Sequence, residues 1–190
     1  MIDSIVLQIA KTAILANFDP SIRLDNESLF NAHPFLKEKR ASFVTLHHNE
    51  NLRGCIGSII AHANLLEDIM HNAASASFHD PRFSKLKEKE FKGLTLEVSV
   101  LTEAKKISYN NYEELKRKIR PNTDGLILQY GSNRGTFLPQ VWEQLPTPEL
   151  FLEHLSFKAN LDPSVYEKHP NIYAYQVEAI EEKFDAIPSL

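Results

Sequence analysis

One order of features occurs twice along this chain, and it constrains the fold more than any single residue does. Arg53-Gly54 follows the turn of a hairpin-like pair of apolar runs, and Arg134-Gly135 does the same further on. A helix-like stretch comes after each pair, then Asp-Pro, at Asp80-Pro81 and Asp162-Pro163, then an alternating stretch. The offsets between counterparts agree to within a residue, near 81 to 82. The expectation is an internal duplication, approximately 1–102 and 103–190, within a single domain over 1–190. Chance recurrence of two common dipeptides is the alternative. Two like halves would pair their strands, antiparallel or mixed, into one curved sheet with helices outside, which is the α+β class.

Local patterns fill in the elements. Ile2, Ile5, Val6, Ile9, Ala13 and Ile14 recur at helical spacing and predict a first helix ending near Phe18. Residues 19–40, broken by Pro20 and Pro34, read as an irregular excursion or a flap. "SFVTLHH" and "LRGCIGSII" flank the turn-prone "NEN", a hairpin over 42–60. A helix is expected over 63–78, and "LTLEVSVL" at 94–101 alternates strictly as a strand. A helix over 110–119 and a second hairpin around "GSNR" follow. A helix over 147–161 capped by Thr147 and a last strand over 171–180 complete the chain.

Composition excludes several function classes. The net charge of −4 gives no basic field for nucleic acid, and the run "ELKRKIR" reads as a solvated helix face. No apolar stretch approaches the ~20 residues of a membrane span. The first residues carry Asp3 where a signal peptide carries bases, and one cysteine in the sequence makes no internal disulfide, so the expected location is cytoplasmic. The eight His include no HxxH or HExxH pair, and no glycine-rich phosphate loop exists, so neither metal nor cofactor is expected.

The single cysteine stands in "NLRGCIG" at 51–57. In an extended segment Arg53, Cys55 and Gly57 share one face, a guanidinium there favours thiolate over thiol, and glycines strip cover from the sulfur. This reading places Cys55 at the floor of an open cleft, titrating below the ordinary thiol value of about 8.5. The bland reading is a small core cysteine, with Arg53 in a structural ion pair and the glycines admitting a neighbouring backbone. If the turn centres on Asn49-Glu50, His48 lies across from the thiol, and a one-residue change of register brings His47 instead. "FHDPRF" at 78–83 adds His79 as an acid or base and Arg82 as an anion-binding group. Asp80 reads as a helix cap, repeated by Asp162.

Four blocks, "LRGCIG", "FHDPRF", "LTLEVSVL" and "GTFLPQVWEQLP", resemble in content and order the AMMECR domain, a family named for a human chromosomal region linked to Alport syndrome, midface hypoplasia and elliptocytosis. Microbial members are called AmmeMemoRadiSam system protein A. The resemblance spans nearly the whole chain. It implies duplicated β-β-β-α-α units around one curved sheet and no settled biochemical activity. It also implies association with a Memo-like protein and a radical SAM protein in a shared pathway. One departure stands out: Ser156 and Asn160 occupy places where the pattern has Cys and Gly, so no role rests on a second thiol. Two readings follow. The chain is a binding module presenting Arg53, Gly54, Gly57, Asp80 and Arg82 to a partner or small ligand. Alternatively it is a thiol-dependent enzyme in which Cys55 is nucleophile or covalent carrier on a small anionic substrate and His79 moves the proton.

Overall fold

The computed structural model describes residues 1–190. Its helices are α1 (Ile5–Leu15), α2 (Asn26–Ala32), α3 (Leu65–Phe78), α4 (Tyr112–Lys118) and α5 (Pro148–Lys158). Its strands are β1 (Ser42–His48), β2 (Asn51–Gly57), β3 (Leu94–Leu101), β4 (Lys105–Lys106), β5 (Gly125–Tyr130), β6 (Asn133–Phe137), β7 (Asn171–Tyr175) and β8 (Val177–Lys183). The class is α+β. No helix is long and apolar enough to cross a membrane.

Two four-stranded sheets, ordered β2-β1-β3-β8 and β4-β7-β5-β6, stand where the sequence suggested one continuous sheet. The difference lies at Gln176. The strand expected over 171–180 breaks there, because Thr102 takes hold of Gln176 through both its backbone and its hydroxyl, and the Gln176 amide reaches Asp124 at 2.8 Å. Upstream of the break, β7 pairs with β4 and β5. Downstream, β8 joins β3. The chain accordingly forms two compact units, residues 1–101 with 178–190, and residues 102–177.

In the first unit the strict alternation of β3 turns Leu94, Leu96, Val98 and Val100 inward, beside Val44 and Leu46 of β1. Val6, Ile9, Ala10 and Ile14 of α1 and Leu65, Leu66, Ile69 and Ala73 of α3 complete this core. Each fully buried large side chain contributes about 1.5–3 kcal/mol. Residues 19–40, expected to be irregular, contain two short helical elements. Asp25 caps α2 by accepting from Ser28 N–H, a 3₁₀ turn follows at Pro34–Lys37, and Leu36 is fully buried.

The second unit has its own core around Leu126, Leu128, Phe151, Leu152 and Leu155. Thr147 caps α5 as its sequence indicates. Trp142 stacks on Phe151 with centroids 3.8 Å apart and donates its indole N–H to the Asp124 carbonyl at 2.7 Å.

Both expected hairpins are present, and each leads to a helix. A glycine permits the close approach in each unit. A Cβ on Gly54 would lie 2.1 Å from the Ala76 carbonyl oxygen of α3, and one on Gly135 would lie 2.8 Å from the backbone nitrogen of Ala159, just past α5. The two sites are places where backbone meets backbone, so neither has a flexible neighbour to give way. Gly54→Ala is expected to cost about 3 kcal/mol of unfolding free energy by overpacking. Gly131→Ala, at a turn with φ of 59° and open space around it, should cost only about 1 kcal/mol. Urea denaturation of the two variants measures the contrast, and equal losses would refute the packing argument.

Candidate functional site

The site is built on the edge strand β2. A two-residue turn at Asn49-Glu50 joins it to β1, with φ of 49° and 70°, the left-handed pair that matches the twist of a tight hairpin. Thr45 pairs with Cys55 and Leu46 with Gly54, but His47 pairs with Leu52, which leaves Arg53 as the extra residue of a β-bulge. The bulge settles the histidine question. Phe43, Thr45 and His47 share the face of Cys55, whereas His48 falls on the alternate face with Val44 and Leu46. One strand further on, Glu97 stands opposite Thr45.

Arg53 does not attend the thiol. Its Nε and Nη2 donate to the two carboxylate oxygens of Glu90 at 2.8 and 3.2 Å, a bidentate pair that holds the Glu90 carboxyl below its usual range. The group nearest in kind to a partner for the sulfur is the Thr45 hydroxyl, which donates to Sγ at 3.3 Å. Nor do the glycines open a cleft around it. Gly54 receives the α3 backbone, and a Cβ on Gly57 would lie 2.4 Å from the Phe43 ring. Cys55 itself is half-buried.

"FHDPRF" comes to the same place from the other side. Cys55, opposite Thr45 on the edge strand, needs partners for its outward N–H and C=O. Asp80, only 4 % exposed, accepts from the Cys55 N–H at 3.0 Å, and Arg82 donates from Nη2 to the Cys55 carbonyl at 3.2 Å. Arg82 and Asp80 are in turn joined by bonds of 3.0 Å from Nε and 2.8 Å from Nη2. Together they act as a one-residue substitute for the missing neighbouring strand and cover an edge that would otherwise be open to pairing. Asp80 is therefore a clamp on β2 more than a helix cap, although it does accept from the Arg82 N–H as Asp162 accepts from the Ser164 N–H. The guanidinium of Arg82, joined by the Cys55 N–H and opposed by desolvation, holds the Asp80 carboxyl well below the usual carboxylate range. His79 ends α3 as an exposed residue, and only its backbone N–H is bonded, to the Ser75 carbonyl.

Thus Cys55, Asp80 and Arg82 converge, while Arg53 is taken up by the Glu90 ion pair, Gly54 and Gly57 serve packing and His79 stands apart. Glu90 and Thr45, which complete the arrangement, carry no local signal in the sequence. A second cluster was also unforeseen: Asp68 accepts from the Ser42 N–H, the Ser42 hydroxyl and the Asn72 amide. Here a signal existed, since Asp68 and Asn72 are polar residues four apart beside the apolar stripe of α3. No three His, Cys, Asp or Glu side chains gather into a metal-holding group.

A family model described as AMMECR1 matches residues 7–180. The chain belongs to the AMMECR1 family. A relative from Methanosarcina mazei is 36% identical over 151 residues, covering 79% of this chain and 75% of that one. Another from Methanocaldococcus jannaschii is 38% identical over 153 residues, covering 76% and 74%. The crystal structure of an uncharacterized protein from Pyrococcus horikoshii aligns with a TM-score of 0.76 at 32% identity, over 97% of this chain and 93% of that one.

The clamp in this AMMECR1 chain makes a pH-dependent prediction. A carboxyl whose folded pKa is depressed contributes stability that is present above its unfolded value, about 3.9, and lost as pH falls through the folded value. Asp80→Asn should cost about 2 kcal/mol at neutral pH, discounted for the half-exposed Arg82. The gap between the two proteins should narrow below about pH 4. Urea titrations across pH measure it, and a gap that stays constant on acidification would refute the charge-based account.

Proposed function

We propose that this AMMECR1 chain is a non-catalytic binding module whose working surface is the outward face of β1 and β2. It acts in the cytoplasm on one pathway with a Memo-like protein and a radical SAM protein. The observation that carries this reading is how the polar groups around Cys55 are used. Arg53 is engaged by Glu90, and Asp80 and Arg82 are engaged by the Cys55 backbone. The groups that a thiol enzyme would spend on substrate are spent on holding a strand in place. What they hold is a surface carrying Cys55, Thr45, His47 and the 40 % exposed Leu52. Internal duplication belongs to the same reading, supported by the matched order of hairpin, close-packed glycine and helix in the two units.

A second reading, a thiol-dependent enzyme acting on a small anionic substrate, draws support from the Thr45 hydroxyl donated to Sγ. In that reading Cys55 is the nucleophile or covalent carrier.

Size-exclusion chromatography of the protein mixed with each partner from the same cell tests the first reading. An elution shift at micromolar concentration is expected, weakened by Leu52→Glu, which alters the face without releasing the clamp as a change at Arg82 would. No shift with either partner counts against the module. For the second reading, turnover in a screen of small esters and thioesters that is lost in Cys55→Ser would displace the first. Equal turnover by both proteins, or none by either, is the expected result.

A further inference from the structure

Away from the Cys55 face, a cavity of about 460 Å³ lies beside the first turns of α3 and the end of β2. We propose that it binds a small organic cation, an alkylammonium, with the charged nitrogen against Asp68. The site goes beyond the surface reading above and does not rest on it.

Asp68 carries the argument. It lines the cavity yet is only 7 % exposed. Its Oδ2 takes three donors, the Ser42 N–H at 2.8 Å, the Ser42 hydroxyl at 2.6 Å and the Asn72 amide at 2.9 Å, whereas Oδ1 takes none. Pinning the start of β1 needs one acceptor oxygen, which an asparagine would supply. The second oxygen is surplus to that task, and unlike the sealed, unpartnered Arg53 Nη1 and Ser77 Oγ it keeps accessible surface, so it is open to a donor in the cavity that Asp68 lines. The dipole of α3 favours negative charge at both acids of its first turn, the exposed Glu67 and the buried Asp68, which suits a cationic occupant.

The rest of the lining fits the same ligand. Glu67 adds a second carboxylate, and no Lys or Arg borders the cavity to neutralise either acid. The imidazoles of His62 and His71 offer acceptors in their neutral form. Ile56 and Ala63 provide apolar wall for a short alkyl body. A metal ion is the poorer occupant, because these side chains do not converge as a ligand set. The volume lies within the range of small-molecule pockets.

Titration of the full-length protein with n-butylammonium, followed by ¹H–¹⁵N NMR, tests the proposal, with butyrate as the anion of similar size. Saturable shifts centred on the amides of Gly57, Ala63 and His71 are expected with the cation, with a dissociation constant on the order of 1 mM for so small a probe. Butyrate should produce none. Asp68→Asn leaves an acceptor for Ser42 and puts an NH₂ group where Oδ1 stood, so binding should weaken roughly tenfold or more. Ala63→Phe fills the cavity without touching the pin and should abolish binding, which decides the matter if Asp68→Asn fails to fold. No saturable shift up to about 50 mM, equal shifts with butyrate, or undiminished binding in Ala63→Phe would overturn the proposal. Partner binding is read separately by elution, so the two ideas fail independently.

Discussion

Helix α3 can rest on β2 because position 54 has no side chain, and much of the first unit depends on that contact of backbone with backbone. The approach brings the end of the helix to the sheet edge, which is where Asp80 must be to accept from the Cys55 N–H. It also sets the helix's other end over Ser42, where Asp68 and Asn72 seize the start of β1. A side chain at 54 would thus disturb a clamp and a pin as well as a packing surface. The single thiol of the chain is carried between these fixed points by a strand whose backbone is held from both edges.

Much of the local structure was legible in the sequence. Strand β3 follows from a strict two-residue alternation, and the start of α5 from Thr147 ahead of Pro148, because both depend on neighbours in sequence. The two hairpins were readable for the same reason. What escaped was non-local. Arg53 looked available to the thiol because an ideal strand alternates. The bulge and Glu90, 37 residues away, gave it another use. The break at Gln176 depends on Thr102, 74 residues back, which no window of sequence contains.

The candidate site was legible as a set of residues and illegible as an arrangement. "LRGCIG" and "FHDPRF" do meet, yet through main chain at Cys55 and side chain at Asp80 and Arg82, so the encounter supports a strand edge. In this chain the motif residues Asp80 and Arg82 therefore have a duty that sequence alone does not reveal, keeping the edge of β2 from pairing with another strand. Comparison of the two Asp-Pro turns helps to isolate that duty. Asp162 accepts from the N–H two residues on, as Asp80 does, but the residue there is Ser164 rather than an arginine that reaches across to the edge strand.

The crossing of the chain at Gln176 has a consequence for how the molecule comes into being. Strand β8 sits beside β3, although all of residues 102–177 lie between them. During synthesis β1, β2 and β3 emerge early, with one side of β3 unpaired until the last strand arrives. Closing so long a loop carries an entropic penalty and raises the mean separation of contacting residues, which slows folding. A second unit that has already folded would shorten the effective gap. The first unit to be made is consequently the last to be finished, and its exposed β3 edge is the stretch most in need of protection in the interval.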